Sequence, residues 1–377
     1  MISIGIINRG PLLNWGKNFG YWYLIKYFYN ELRSAGYEIN FYESMSSKFY
    51  KSDFIIIDSR SITEKYTHKI RKKLKLSVNY NFLETILKIQ KKNPNIVWLD
   101  LTDSSGTTQF EVLPYVRKYV KKQFYKDKSF YKKNFFRDRY YADFYQKKFS
   151  LEKNINFKTH LLTDKYLSKL VLGWNIGVGN YFDVLNRDKY EKYLCILKSL
   201  KSNDSKDLYK YCLGFHKPEK KLNDVYYSFN LRNNDEKKSI HFQRNKVTEM
   251  MIKYFKSKNL RLGHKEYLKR LKQSKISIGA FGWGEVCYRE FEAIKMGAAV
   301  IFPSVDYIET WPNIYRDNYS YVSYKLDFSN LIDKINLVSS NKDLRENLVE
   351  NSQRICKNVY SNEGLEYLIN FFKKITN

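Results

Sequence analysis

The sequence predicts an α/β protein made of two doubly wound halves. Short apolar runs alternate with amphipathic helical segments over residues 1–100, and a second alternation begins at Asp224. This alternation is typical of parallel sheets with helices on both faces. The length of 377 residues favours two domains, and a hydrophobic content of 43% supplies enough apolar surface for their cores.

The first half opens with an apolar run at residues 2–8, which predicts a buried strand. Further strands are predicted at 37–42, 54–58 and 96–99, and helices at 21–35 and 81–91. Gly36 ends the first helix, because glycine is favoured just past a helix C-terminus. Residues 110–149 interleave Lys and Arg with Tyr and Phe, and we predict a basic helical insertion there.

The second half repeats the pattern. We predict strands at 225–229, 276–279, 299–302 and 319–323, and helices at 239–255, 265–271, 286–296, 329–338, 342–360 and 363–375. A polar stretch separates the two alternations, which places an N-terminal domain at 1–205 and a C-terminal domain at 206–360. We expect the C-terminal helix at 361–377 to pack back on the N-terminal domain.

Charge and cysteine content narrow the function classes. Lys and Arg number 67 against 39 Asp and Glu, a net charge of +28, so the surface attracts polyanions. The basic stretch at 117–148 fits a solvated helical face, contact with an anionic membrane or contact with nucleic acid, and charge does not choose among them. The four scattered cysteines predict a reducing compartment. Apolar runs are too short to span a membrane, and the N-terminus opens into a strand, so we expect a cytoplasmic protein.

The most informative segment is 276–303, where a predicted strand runs into a glycine-containing loop that opens a helix. Gly282 and Gly284 let backbone N–H groups approach a ligand, and the helix N-terminus favours a phosphate. Arg289 and Glu292 share a face of that helix. An arginine suits a bidentate grip on a diphosphate, and a carboxylate can accept both hydroxyl hydrogens of a ribose. The same residues also fit an ordinary strand, loop and helix with a surface Arg–Glu pair.

Residues 284–303 resemble the nucleotide-sugar signature of the GT-B glycosyltransferases, with the pattern Gly-Glu-x-x-x-Arg-x-x-Glu-Ala-x-x-x-Gly-Ala-x-x-Ile-x-Pro. The resemblance implies two Rossmann-like domains facing a cleft, with the nucleotide-sugar donor on the C-terminal domain. It assigns donor contacts to Glu285 and Arg289, and it matches Glu292 to the ribose-binding glutamate of the family. Retaining members often place their two glutamates one residue further apart, which favours an inverting enzyme here.

Two aspartates follow the predicted strand at 96–99, where open parallel sheets bind ligands. An inverting transfer needs a general base that removes the proton of the acceptor hydroxyl. The pair Thr102-Asp103 resembles the Thr-Asp at the corresponding strand end of phage DNA β-glucosyltransferases, in which the aspartate is the base. The stretch also resembles uncharacterised bacterial and viral glycosyltransferases. We predict Asp103 as the base and Asp100 as the second candidate, and either can instead cap a turn.

Loops at other strand ends supply further predicted contacts. Arg232 and Arg244 match the positions from which GT-B proteins supply basic groups to the donor phosphates, and an exposed arginine is the alternative for Arg244. The loop after the first strand is predicted to contact acceptor or phosphate through Gly16, Lys17 and Asn18, although a plain turn fits it too. The five histidines show no metal-ligand spacing and no Asp-x-Asp motif occurs, so we expect neither a metal nor a cofactor.

These features predict a hexosyltransferase that moves a sugar from a nucleoside diphosphate sugar to a hydroxyl, with a surface glycan or a lipid-linked saccharide as the acceptor. Peripheral contact with an anionic membrane at its inner face fits the basic stretch, and nucleic acid is the less favoured partner. Two rival functions stay open. They are a phage-type DNA base glucosyltransferase and a non-enzymatic module that binds nucleic acid or membrane.

Overall fold

The computed structural model describes residues 1–7, 21–59, 82–151, 160–178, 215–216, 221–231 and 238–377. The first half contains the strands β1 (Ile2–Ile7), β2 (Tyr37–Tyr42), β3 (Phe54–Asp58), β4 (Ile96–Asp100), β5 (Lys118–Lys121), β6 (Gln123–Tyr125) and β7 (Leu170–Leu172). Six of them form a parallel sheet in the order β2-β1-β3-β4-β5-β7. Every residue of β3 and β4 is buried, as expected of central parallel strands covered on both faces.

Helices cover both faces of this sheet. They are α1 (Tyr23–Tyr27), α2 (Tyr29–Ser34), α3 (Ser47–Tyr50) and α4 (Phe82–Gln90). The predicted helix at 21–35 is divided into α1 and α2 at Phe28. Successive strand residues enter opposite cores, because side chains alternate along a strand. Ile56 joins the core under α1 and α2, whereas Ile55 and Ile57 join the core under α3 and α4.

Residues 110–149 do not form the predicted helical insertion, and that prediction is wrong. β5 lies inside the sheet between β4 and β7. The one α-helix of this stretch is α5 (Tyr140–Phe149), and the remainder is strand, 3₁₀ turn and loop. The lysines of β5 make its sequence look like a solvent-exposed segment. In the structure, however, Lys121 is buried and pairs with a buried aspartate of β4.

The second half forms a smaller parallel sheet. Its strands are β8 (Asn223–Tyr226), β9 (Ser274–Ile278), β10 (Ala299–Pro303) and β12 (Val322–Tyr324), in the order β12-β10-β9-β8, and β11 (Ile308–Thr310) lies outside it. The helices are α6 (Lys238–Phe255), α7 (His264–Lys272), α8 (Tyr288–Lys295), α9 (Leu331–Ser340), α10 (Lys342–Asn358) and α11 (Asn362–Thr376). Two doubly wound parallel sheets confirm the predicted α/β class, and they are the arrangement that the GT-B resemblance implies.

Among the described residues, β6, α5 and α11 are elements that link the two halves. β6 pairs antiparallel with β11. α5 places Tyr141 and Tyr145 in the core of the C-terminal half. α11 places Phe371 and Phe372 in the core of the N-terminal half. The two sheets are therefore tied together by packed structure, and the predicted boundary near residue 205 lies outside the described residues.

Candidate functional site

The loop after β9 and the turn after β4 touch each other, which brings the carboxyl ends of the two sheets together. We call residues 279–287 the glycine loop and residues 100–106 the aspartate turn. A Cβ atom on residue 284 would lie 1.8 Å from the carbonyl oxygen of Asp103, so the contact requires the glycine found at Gly284. This meeting point is the candidate site, because open parallel sheets bind ligands at the carboxyl ends of their strands.

Three arginines converge on the main-chain carbonyls of the glycine loop. Each donates a hydrogen bond to a carbonyl oxygen of this loop: Arg289 to Ala280 at 2.6 Å, Arg244 to Phe281 at 3.2 Å and Arg139 to Trp283 at 2.7 Å. The remaining carbonyl of the run, that of Gly282, accepts from the Tyr141 hydroxyl at 2.9 Å. A guanidinium carries five N–H donors, more than these bonds use, so the cluster is chemically suited to an anion.

The environment of these arginines concentrates positive charge. Burial and the positive charge of Arg289 lower the pKa of Arg244 to about 10. Burial also works against the charge of Arg289, but Glu290 and Cys287 outweigh it and hold the pKa of Arg289 above its ordinary value. Burial raises the pKa of Glu290 to about 7, so this carboxylate is only a partial counter-charge near neutral pH. An anion bound here would relieve the unfavourable charge of Arg244.

Glu292 lies one turn further along α8, and its side chain is 7% exposed. Its carboxylate accepts a hydrogen bond from the Tyr267 hydroxyl at 2.9 Å and lies 3.1 Å from Nε2 of the partly exposed His264. Both partners belong to α7. The carboxylate is thus held in place by two side chains of α7.

Asp100 is fully buried and satisfied inside the N-terminal half. Lys121 Nζ lies 2.8 Å from Oδ2, which also accepts from the Tyr119 hydroxyl, and the Thr102 amide donates to Oδ1 at 2.7 Å. Burial disfavours the charged form, but Lys121 and these hydrogen bonds hold the pKa of Asp100 below its ordinary value. The structure therefore favours the turn-capping role over the predicted catalytic role, because an acceptor hydroxyl has no access to buried oxygens.

Asp103 is the aspartate of this turn that solvent reaches. Its side chain is 53% exposed, and Lys122 Nζ lies 3.5 Å from its Oδ1. Lys122 itself is almost fully buried, so it forms a fixed cation at the base of the turn. Asp103 therefore stands where the N-terminal half meets the glycine loop, in contact with Gly284 through its main chain.

Glu285 faces the N-terminal half rather than the arginine cluster. Its carboxylate is fully buried and accepts from the Ser104 hydroxyl at 3.2 Å, the Ser105 amide at 3.0 Å and the Gln123 side chain at 3.0 Å. Burial raises the pKa of Glu285. Glu285, a predicted donor contact, thus bonds to Ser104 and Ser105 of the aspartate turn and to Gln123 of β6.

Four of the predicted site residues, Gly16, Lys17, Asn18 and Arg232, lie outside the described residues. Conversely, the structure adds Arg139, Tyr141 and Gln243 to the surroundings of the glycine loop. Gln243 Oε1 accepts a hydrogen bond from the Phe281 amide at 2.7 Å. Because Gln243 directly precedes the predicted Arg244 in the sequence, its position near the loop could have been predicted. Arg139 and Tyr141 approach from the other half, and no sequence pattern indicates that contact.

Within the described ranges, no group of three or more His, Cys, Asp or Glu side chains is placed to hold a metal ion. None of the helices described is long and apolar enough to cross a membrane.

No protein-family model matches the chain, and no curated protein matches it. Solved structures match along almost its whole length at low identity. A glycosyltransferase from Rickettsia africae is 14% identical, with a TM-score of 0.41 over 99% of this chain and 98% of that one. Anabaena HepE in complex with UDP-glucose is 9% identical, with a TM-score of 0.42 over 98% of both chains. S. aureus MnaA with UDP is 10% identical, with a TM-score of 0.36 over 98% of both chains. Superpositions this loose carry no argument about activity.

Proposed function

We propose that this protein transfers a sugar from a nucleoside diphosphate sugar to a hydroxyl acceptor, with the donor on the C-terminal half and the acceptor on the N-terminal half. The observation that carries the proposal is the cluster of Arg139, Arg244 and Arg289 on the glycine loop, beside the exposed Asp103. A cluster of cations next to one accessible carboxylate supplies the two groups that this transfer needs, an anion site and a base.

The arginine cluster is suited to the donor diphosphate. Guanidinium groups bind phosphate oxygens through planar, paired hydrogen bonds. The glycine loop leads into the N-terminus of α8, whose partial positive charge adds to the attraction. Because burial and Arg289 disfavour the charge of Arg244, a bound dianion would gain more here than at an exposed arginine.

Glu292 is the proposed ribose ligand. Its two oxygens are already oriented by Tyr267 and His264, so they can accept from a pair of hydroxyls without losing their position. Glu292 lies on the same helix as Arg289, one turn away, which is a spacing compatible with a ribose and its diphosphate.

In the proposed reaction, Asp103 takes the proton of the acceptor hydroxyl while that oxygen bonds to the anomeric carbon of the sugar. The bond from this carbon to the diphosphate oxygen breaks, and its electron pair stays on the diphosphate. The guanidinium groups hold the charge that develops there. Attack from the side opposite the leaving group inverts the anomeric configuration.

For the acceptor we propose a saccharide carried on a surface glycan or on a lipid. The net charge of +28 supports a partner surface that is anionic, such as the inner membrane face. Lys126 and Lys133 are exposed on the N-terminal half and contribute to this field. A DNA acceptor is the rival outcome, and its duplex binding would weaken steeply with added salt.

The test is calorimetric titration with a panel of nucleosides, nucleoside diphosphates and nucleotide sugars. We expect binding that requires the diphosphate, and we expect Arg244→Gln to weaken it by about 1.5 to 3 kcal/mol, the scale of a hydrogen bond to a charged group. Arg33→Gln, which removes the same charge from an exposed helix of the other half, is the control and should bind as the wild type does. Equal affinity for a nucleoside and its diphosphate would contradict the proposal.

A further inference from the structure

Glu285 stands at the centre of the contact between the glycine loop and the aspartate turn. It accepts hydrogen bonds from the Ser104 hydroxyl, the Ser105 amide and the Gln123 side-chain amide, at 3.0 to 3.2 Å. All three donors belong to the N-terminal half, whereas Glu285 belongs to the C-terminal half. The carboxylate therefore links the element that carries the arginine cluster to the turn that carries the proposed base.

Gln123 connects this carboxylate with Asp103. Its Nε2 atom donates to Glu285 and also to the main-chain carbonyl of Asp103, at 3.2 Å. The same carbonyl packs directly against Gly284, where a Cβ atom would lie 1.8 Å away. The main chain of Asp103 is thus held from one side by Gln123 and from the other by Gly284, and Glu285 fixes both.

Burying the Glu285 carboxylate at this contact costs free energy, which an apolar side chain in the same place would not cost. Glu285 is fully buried, burial raises its pKa, and its three hydrogen-bond donors are neutral groups. A buried carboxylate that is hydrogen-bonded to neutral donors recovers less of its lost hydration than one in a close ion pair. Such a group does, however, specify geometry, because each donor has to point at one of two oxygens.

We propose that Glu285 is a positioning residue that holds Asp103 in place against a donor bound on the glycine loop. The inference rests on the proposed function and deepens it, since a residue that the GT-B resemblance assigns to the donor acts instead on the orientation of the base.

Amide hydrogen exchange tests the contact in the full chain without any substrate. Glu285→Gln removes the charge, and its one carbonyl oxygen can take the place of Oε2, which accepts from both the Ser105 amide and Gln123. We expect the Ser105 amide to exchange about tenfold faster, because a neutral acceptor replaces a charged one. Glu290→Gln is the matched control, because Glu290 is similarly buried in the same segment and makes no hydrogen bond to the turn among those described. It should leave Ser105 exchange unchanged.

A second variant sharpens the test. Glu285→Met removes both acceptor oxygens at a similar side-chain length, so we expect the Ser105 amide to exchange faster in Glu285→Met than in Glu285→Gln. Exchange of Ser105 that is unchanged in both variants would overturn the assignment.

Kinetics separates positioning from a general loss of stability. In Glu285→Gln we expect kcat to fall about tenfold or more while the donor Kd stays within a factor of about three, because misplacing a base affects turnover and not ground-state binding. A parallel loss of donor affinity and kcat would overturn the positioning role. A wild-type protein that binds no nucleoside diphosphate would overturn the proposed function instead, and the exchange measurement would still decide whether Glu285 orients the turn.

Discussion

The aspartate turn and the glycine loop occupy the same kind of position, each at the carboxyl end of a parallel strand, but they treat charge in opposite ways. In the turn, the buried Asp100 is matched by the buried Lys121, so the charge is balanced inside the fold. In the loop, the guanidinium of Arg244 bonds to main-chain carbonyls and repels its neighbour Arg289. A strand end therefore indicates where a site can lie, whereas unbalanced charge indicates where a bound anion would be stabilised.

The largest expected effect follows from Asp103. Asp103→Asn should lower turnover by roughly 100-fold to 10,000-fold, the scale for loss of a general base, and leave donor affinity nearly unchanged. The measurement is kcat with saturating nucleotide sugar, together with calorimetry of the donor. Asp164→Asn, at an exposed aspartate of the same half, is the control. Near-normal turnover in Asp103→Asn would show that another residue is the base, and Asp103 would then differ from Asp100 only in its exposure.

Asp100 should respond in stability rather than in chemistry. Asp100→Asn leaves Lys121 buried without its counter-charge, so we expect a loss of about 3 to 5 kcal/mol in the free energy of unfolding, measured by urea denaturation. Adding Lys121→Met should recover part of the loss, because the uncompensated charge is then gone. A variant that keeps its stability and loses turnover would show that Asp100 takes part in the reaction and does not only neutralise Lys121.

Glu290 tests the electrostatics behind the glycine loop. Its folded-state pKa of about 7 lies above the ordinary value of 4.5, so the folded state holds the proton more tightly and stability falls as pH rises through this window. The difference corresponds to about 3 kcal/mol. Glu290→Gln should therefore flatten the dependence of the unfolding free energy between these pH values and stabilise the protein at pH above 7. Glu84→Gln, at an exposed carboxylate, should leave the dependence as it is.

The smallest expected effect concerns Glu292. Glu292→Gln should weaken nucleoside diphosphate binding by about 1 to 3 kcal/mol with little change in melting temperature. A dideoxynucleoside diphosphate supplies the control, since wild type should lose similar affinity for it and the variant should lose no more. If the variant still distinguishes the two ligands, Glu292 does not contact the ribose hydroxyls, and the loop holds the diphosphate alone.

Much of the fold could be predicted from apolar periodicity. The run at 54–58 is fully apolar up to its terminal aspartate and matches β3, and the run at 37–42 matches β2. β5 escaped prediction because two of its four residues are lysines, and the partner that neutralises Lys121 lies 21 residues earlier. A pairing at that separation has no periodic signature, so the polar composition indicated a solvated helix instead.

The candidate site could be predicted in part, for a related physical reason. Arg289, Glu292 and the glycines lie within one strand, loop and helix, where short spacing fixes the geometry. Arg139 joins them from a segment 144 residues away. The roles of Asp100 and Glu285 likewise depend on burial and on partners in another element, and neither is visible in residue type or spacing.

The crossing segments β6, α5 and α11 decide how this molecule can be recombined. A breakpoint between the sheets would leave β11 facing a foreign β6, and it would set Tyr141 and Phe372 against cores they do not match. Hybrids made by exchanging halves would therefore have mismatched contacts at β6, α5 and α11 at the same time. New donor preferences are therefore better sought by single substitutions around Glu292, because its hydrogen-bond partners His264 and Tyr267 both lie in the C-terminal half.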